Sequence, residues 1–254
     1  MDKIGIALSV GCARGAAHIG VLHALNENNI YPDQISGTSA GSIIGALYCA
    51  GYTPLEILKL SHEKTFLKIF RIGFLSKGLT ELTYLKDFLK NNIEINKFEG
   101  LKLPLHVCIS NLNSGHFEII SKGELFEILA ASCALPLLFK SVKIKGNNYV
   151  DGGLLNNLPV EPLLNNCANV IGISLCPHEV KTEVKGVRNI AERCLQLTIW
   201  GTIQDRLKKC NIAIEIEKSF EYRIFDAKKS EELFSIGYEA TIERMTDIKK
   251  ALKN

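Results

Sequence analysis

Nothing in this chain is apolar for long enough to cross a membrane: no uninterrupted apolar run approaches the roughly eighteen residues that a spanning helix needs. The opening run Ile4-Gly5-Ile6-Ala7-Leu8 is too short for the core of a secretory leader, and it passes straight into a segment bearing glycine and arginine. It reads as a first β-strand. A charge excess of one sign is also missing. Thirty Lys and Arg face 27 Asp and Glu, for a net charge of +3, and no basic tail is present, so nucleic acid is not an expected partner. The eight cysteines (Cys12, Cys49, Cys108, Cys133, Cys167, Cys176, Cys194 and Cys210) are scattered rather than paired at regular intervals. That pattern excludes a disulfide framework and suits reduced thiols in a cytoplasm. Cys176 and His178 lie two apart, but no second Cys/His pair stands at zinc-site spacing, so neither a metal nor another cofactor is expected. Repeats, low-complexity tracts and linkers are absent as well, which leaves one domain over residues 1–254.

What is present alternates between strand and helix. Ile4–Leu8 reads as strand and 16–28 as helix, with Ile19, Leu22 and Leu25 on one face. Residues 34–38 form a second strand and 39–50 a helix rich in small residues. Thr53 caps a further helix with Pro54 in its first turn. Strands follow at 105–110 and 115–120, then a helix at 123–133 stopped before Pro136, and a hairpin of 142–144 with 148–150 through Gly146-Asn147. A buried strand at 169–175, a helix at about 187–210, a strand at 212–216 and an amphipathic helix at about 230–252 complete the chain. This order predicts an α/β fold with a mainly parallel central sheet and helices on both faces, in three layers.

Three motifs carry chemistry. Ile35-Ser36-Gly37-Thr38-Ser39-Ala40-Gly41 ends a strand in Gly-x-Ser-x-Gly and opens a helix, the pattern of a nucleophile elbow. The turn strains the serine backbone, so the positions two on either side must lack a Cβ, and Gly37 and Gly41 meet that need. The helix that starts there turns its positive end toward the anion formed when Ser39 attacks a carbonyl. Tyr149-Val150-Asp151-Gly152-Gly153 ends another strand in an acid and two glycines. Asp-Gly is an ordinary turn, yet the two glycines also suit a carboxylate that closely approaches another backbone, and a partly desolvated carboxylate can serve a serine as base. Ser9-Val10-Gly11-Cys12-Ala13-Arg14-Gly15 follows the first strand. It matches neither a dinucleotide fingerprint nor a phosphate-binding P-loop, and it can offer N–H groups beside the serine.

In this order the three pieces resemble the patatin-like phospholipase family. Arg14-Gly15, His18 and Gly20-Val21-Leu22 match the family's opening block. Ala131 to Phe139, then Asp151-Gly152-Gly153, Asn157 and Pro159-Val160, match its closing one, so that roughly residues 4–176 are covered. The resemblance implies a hydrolase of acyl lipids that uses a Ser–Asp dyad without histidine. Ser39 would be the nucleophile, Asp151 the general base, and Val10, Gly11, Cys12, Ala13 and Arg14 the oxyanion loop; Gly37, Gly41, Gly152 and Gly153 position them. The substrate it implies is a lipid or phospholipid ester, reached by a cytoplasmic protein in transient contact with a membrane surface. The family's loop is an unbroken glycine run, whereas here Val10 and Cys12 stand where glycines are expected. Side chains at those positions fit only where φ is negative.

Two further classes share these residues: a lipid-binding relative with little or no catalysis, and an acyltransferase or thioesterase built on the same acyl-serine. Residues 61–100 read as an insertion. Within it, 64–79 is apolar and basic together, either a helix packed over the core or a lid that touches lipid. Residues 187–254 read as a C-terminal helical extension packed on the sheet. Oligomeric state is not legible.

Overall fold

The first strand becomes the middle of the sheet. In a computed structural model that describes residues 2–63, 66, 82–176, 183–222 and 227–252, β1 (Ile4–Leu8) pairs in parallel with β2 (Gln34–Gly37) on one side and β7 (Asn169–Ser174) on the other. Beyond β2 lies β3 (Leu105–Asn111), and beyond β7 lies β8 (Ile212–Glu215), both parallel to their neighbours. Antiparallel pairing is confined to the β3 end, where β4 (Phe117–Ile120), β5 (Val142–Ile144) and β6 (Asn147–Asp151) join. The eight strands read β5-β6-β3-β2-β1-β7-β8, with β4 on β3.

One detail of this pairing builds the site. β4 occupies one edge of β3 from Val107 to Ser110. The other edge is shared end to end: β2 takes it as far as Gly37 opposite Val107, and β6 takes it from Asp151 opposite Ile109. The chain leaving β2 and the chain leaving β6 therefore emerge at the same place.

Side chains alternate across the sheet and divide the core in two. Ile6 and Leu8 join the larger cluster, under α1 (Ala16–Glu27), α2 (Ala40–Ala50), α3 (Pro54–Ser61), α4 (Thr83–Asn92) and α5 (Leu125–Ser132). Ala7 faces the other way, toward Leu158, Leu163 in α6 (Glu161–Asn166) and Leu207 in α8 (Gln204–Leu207). Helices cover both faces, which is why β1 and β7 are apolar without alternation. This is the three-layer α/β fold that the sequence predicts.

Local chemistry explains most boundaries. Thr53 and Glu56 form a reciprocal capping box, Glu56 N–H to Thr53 Oγ1 at 3.3 Å and Thr53 N–H to Glu56 Oε2 at 2.8 Å, with Pro54 in the first turn. The α9 helix (Ser230–Glu243) crosses α1 closely. A Cβ on Gly20 would lie 1.9 Å from the Phe234 carbonyl oxygen, and one on Gly237 would lie 2.0 Å from that of Ala17.

Three boundaries differ from the sequence reading. The β5–β6 turn is Lys145-Gly146, one residue earlier, with φ of +47° and +89° as a two-residue hairpin of the I′ type requires. The expected helix at about 187–210 is α7 (Val187–Gly201) followed by α8, because the Thr202 hydroxyl turns back to the Ile199 carbonyl at 2.9 Å. The last helix divides into α9 and α10 (Met245–Ala251) at Arg244, whose guanidinium reaches the Ala213 carbonyl in β8. The expected lid at 64–79 lies outside the described residues except for Phe66, which packs edge-on against Phe88 of α4 with ring centroids 5.2 Å apart. His178 lies outside them too. All eight cysteines are free thiols.

Candidate active site

Ser39 occupies the turn between β2 and α2 with φ +53° and ψ −123°, a conformation that costs a side-chain-bearing residue energy. The flanking glycines are required sterically. A Cβ on Gly37 would lie 2.6 Å from the Gly41 carbonyl oxygen, and one on Gly41 would lie 2.5 Å from that of Leu8. Hydrogen bonds hold the strained residue at both ends. Its N–H donates to Ser132 Oγ at 2.9 Å, and its carbonyl accepts from Ser42 Oγ at 2.6 Å. The first turn of α2 carries no acidic residue, so its positive end is not neutralised by a side chain.

Asp151 closes β6 and is 2 % exposed. The Gly153 N–H donates to its Oδ1 at 2.8 Å, and the Ser39 hydroxyl lies beside it. Burial pushes the carboxyl up to about 7, although the Ser39 hydroxyl and the Gly153 N–H pull the other way. The approach depends on Gly152 and Gly153: a Cβ on Gly152 would lie 2.2 Å from the Cys108 carbonyl oxygen, and one on Gly153 would lie 2.5 Å from Val10 Cγ1. Sequence reasoning brought Ser39, Asp151 and all four glycines to this place, and the structure assembles them there.

The loop after β1 departs from expectation in two respects. Val10 has no positive φ, whereas Cys12 does, at +50°. Only Cys12 therefore occupies a position that favours glycine. Moreover, two of the five expected oxyanion donors are committed elsewhere. Val10 N–H donates to Asn157 Oδ1 at 2.9 Å, and Arg14 N–H donates to the Gly11 carbonyl at 3.0 Å. Gly11, Cys12 and Ala13 have N–H groups with no acceptor among the described residues. The Arg14 side chain is engaged as well, its Nε donating to the Tyr222 carbonyl at 2.8 Å and its guanidinium lying 4.2 Å over the Phe220 ring.

Among the described residues no histidine completes a triad. His18 is fully buried, and its Nε2 is bound 2.9 Å from the Ser9 carbonyl. A carbonyl only accepts, so the proton is on Nε2, and burial pushes the ring down to about 4. His106 Nε2 is 3.2 Å from Gln34 Oε1. Two neighbours have roles that no sequence motif announces: Ser132, whose hydroxyl accepts from the Ser39 N–H, and Asn157, whose Oδ1 accepts from the Val10 N–H. Among the described residues no cluster of three or more His, Cys, Asp or Glu is placed to hold a metal, and no helix is long and apolar enough to cross a membrane.

Known proteins resemble this chain in sequence and fold. Residues 6–164 fit the family described as patatin-like phospholipase. Lysophospholipase NTE1 of Kluyveromyces lactis is 27% identical over 273 aligned positions, covering 93% of this chain and 19% of that protein. Lysophospholipase NTE1 of Cryptococcus neoformans is 32% identical over 175 positions, 65% of this chain and 10% of that one. The chain thus spans a fifth or less of these relatives. An uncharacterized NTE family protein of Mycobacterium tuberculosis is 28% identical over 176 positions, 68% of this chain and 49% of that one. Among solved structures, VipD from Legionella pneumophila shares the fold with a TM-score of 0.58 at 14% identity, over 97% of this chain and 67% of that one.

Proposed function

The chain belongs to the patatin-like phospholipase family, and from that premise we propose that it hydrolyses acyl esters of lipids with Ser39 as nucleophile and Asp151 as general base. The observation that carries this reading is a serine at a strained strand-to-helix elbow beside the buried Asp151 carboxylate, which burial pushes up to about 7, a value suited to proton transfer near neutrality. Ser39 Oγ attacks the acyl carbonyl carbon while its proton passes to Asp151. The carbonyl oxygen gains the negative charge, and the N–H groups of Gly11, Cys12 and Ala13 face it. Collapse breaks the bond to the alcohol or lysolipid, which leaves with the proton from Asp151. The acyl-serine is then attacked by water, which gives its proton to Asp151; the fatty acid departs and Ser39 recovers its hydrogen.

Open loop N–H groups and a Val10 at ordinary φ favour a working enzyme over a lipid-binding relative without catalysis. The substrate class rests on family membership and on relatives that are lysophospholipases. A transient encounter with a lipid surface would deliver it. The test is release of fatty acid from a lysophospholipid and from a diacyl phospholipid, with wild type against Ser39→Ala. Hydrolysis by wild type alone supports the assignment. Equal hydrolysis by both removes Ser39 from the mechanism. Product analysis with a competing alcohol separates hydrolysis from acyl transfer.

A further inference from the structure

We propose that Asn157 and His18 are positioning residues that grip one peptide plane from opposite sides and thereby set the aim of the oxyanion donors. The inference rests on the serine-hydrolase reading above. The plane joins Ser9 to Val10. Its carbonyl accepts from His18 Nε2 at 2.9 Å, and its N–H donates to Asn157 Oδ1 at 2.9 Å. A trans peptide points these two groups in opposite directions, so fixing both fixes the rotation of the plane.

The next plane follows from the first. Val10 carbonyl oxygen accepts from Ser9 Oγ at 3.0 Å and from Cys176 Sγ at 3.6 Å, both buried. The Gly11 N–H of that same plane must then point away from Cys176, toward the side where no protein acceptor meets it among the described residues. Gly11 N–H leads the run of three open donors, and its direction is set by the two planes that flank Val10, the first held by Asn157 and His18 and the second by Ser9 and Cys176.

Asn157 is itself fixed from behind. It is fully buried, its Nδ2 donates to the Ile199 carbonyl at 3.3 Å, and its own N–H donates to Thr202 Oγ1 at 3.1 Å. The end of α7 thus holds the amide that holds the loop. An asparagine suits this task because one side chain must accept from Val10 and donate to Ile199 at once.

The experiment compares wild type, Asn157→Leu and Asn157→Asp, each checked for folding by circular dichroism. It reads kcat, KM, and affinity for a trifluoromethyl ketone lipid against a non-hydrolysable ether lipid. Asn157→Leu strands the Val10 N–H, and kcat is expected to fall about 10- to 100-fold with KM within about threefold. Ketone binding should weaken in proportion while ether-lipid binding holds. Asn157→Asp keeps the acceptor for Val10 and should lose less than Asn157→Leu. A purely structural role predicts the reverse order, because the acid adds a buried charge, and that order overturns the proposal, as does unchanged kcat in folded Asn157→Leu. Should Asn157→Leu not fold, Thr202→Val removes the acceptor of the Asn157 backbone N–H and loosens that residue from behind. A several-fold drop in kcat at constant KM then supports the proposal, and unchanged kcat defeats it. Inactive wild type would instead defeat the serine-hydrolase reading beneath it.

Discussion

Ser39 and Asp151 meet because the strands that deliver them share one edge of β3, Gly37 opposite Val107 and Asp151 opposite Ile109. The nucleophile leaves that edge from a parallel strand, and the carboxylate arrives along it from an antiparallel one. Close packing at Gly152 then lets the two chains touch: a Cβ there would lie 3.0 Å from Thr38 Cγ2, next to Ser39, as well as 2.2 Å from the Cys108 carbonyl oxygen. The backbone N–H of Gly153 and the register of β6 orient Asp151.

The rate of acylation should follow the ionisation of Asp151. With its carboxyl raised to about 7, the base is protonated at acid pH, and kcat/KM is expected to fall about tenfold per pH unit below that point. A pH profile from 5 to 9 checks this. A limb centred near pH 4 would mean the carboxylate is not desolvated in solution.

The same shift predicts that the buried Asp151 carboxylate costs stability. Its folded pKa lies above the unfolded value of 3.8, so the cost is absent below pH 4, accumulates between about 4 and 7, and is complete above 7. Asp151→Asn removes the charge and keeps an acceptor for Gly153. Thermal or urea unfolding at pH 8 should find it more stable than wild type by about 1–3 kcal/mol, with the difference vanishing near pH 4.

His18 titrates in the opposite sense. Held neutral with a pKa of about 4, against 6.5 for an ordinary histidine, it contributes stability that is intact above 6.5 and lost as pH falls toward 4. His18→Gln keeps an N–H donor for the Ser9 carbonyl. It should retain activity within about tenfold of wild type, whereas Asp151→Asn loses on the order of a thousandfold. Equal losses in both variants would require a histidine in the mechanism.

The glycine departures can now be told apart. Cys12 is at φ +50°, so Cys12→Gly relieves strain and should leave the rate unchanged within about threefold while altering stability by less than about 1 kcal/mol. Val10 is not strained and its Cγ1 packs on Gly153, so Val10→Gly should loosen the loop and slow acylation. A faster Val10→Gly enzyme would contradict this account of the loop.

What the sequence revealed and what it hid differ in range. Gly37-Thr38-Ser39-Ala40-Gly41 is legible as a motif because the strained serine turn is local and Gly37 must make way for the Gly41 backbone four residues on, whereas the Leu8 carbonyl that Gly41 must clear lies far back in the chain. Thr53-Pro54 and Glu56 are legible for the same reason. Asp151 is visible only as an acid before two glycines, since the contact that explains Gly152 is with Cys108, far along the chain. Asn157 and Ser132 act through hydrogen bonds to residues 147 and 93 positions away, and no spacing rule reports those. The helix breaks at Thr202 and Arg244 were hidden because helical periodicity runs through both, and the interruptions come from a hydroxyl turned back on its own helix and a guanidinium drawn to β8.

The central claim is that Ser39 and Asp151 act as a pair, and one measurement tests it most directly. Wild type, Ser39→Ala and Asp151→Asn are incubated with a long-chain fluorophosphonate, and adducts are located by mass spectrometry over time. A single adduct on Ser39, absent from Ser39→Ala and formed at least about a hundredfold more slowly in folded Asp151→Asn, is the predicted result. Labelling of Asp151→Asn at the wild-type rate, or no adduct on folded wild type, would contradict it.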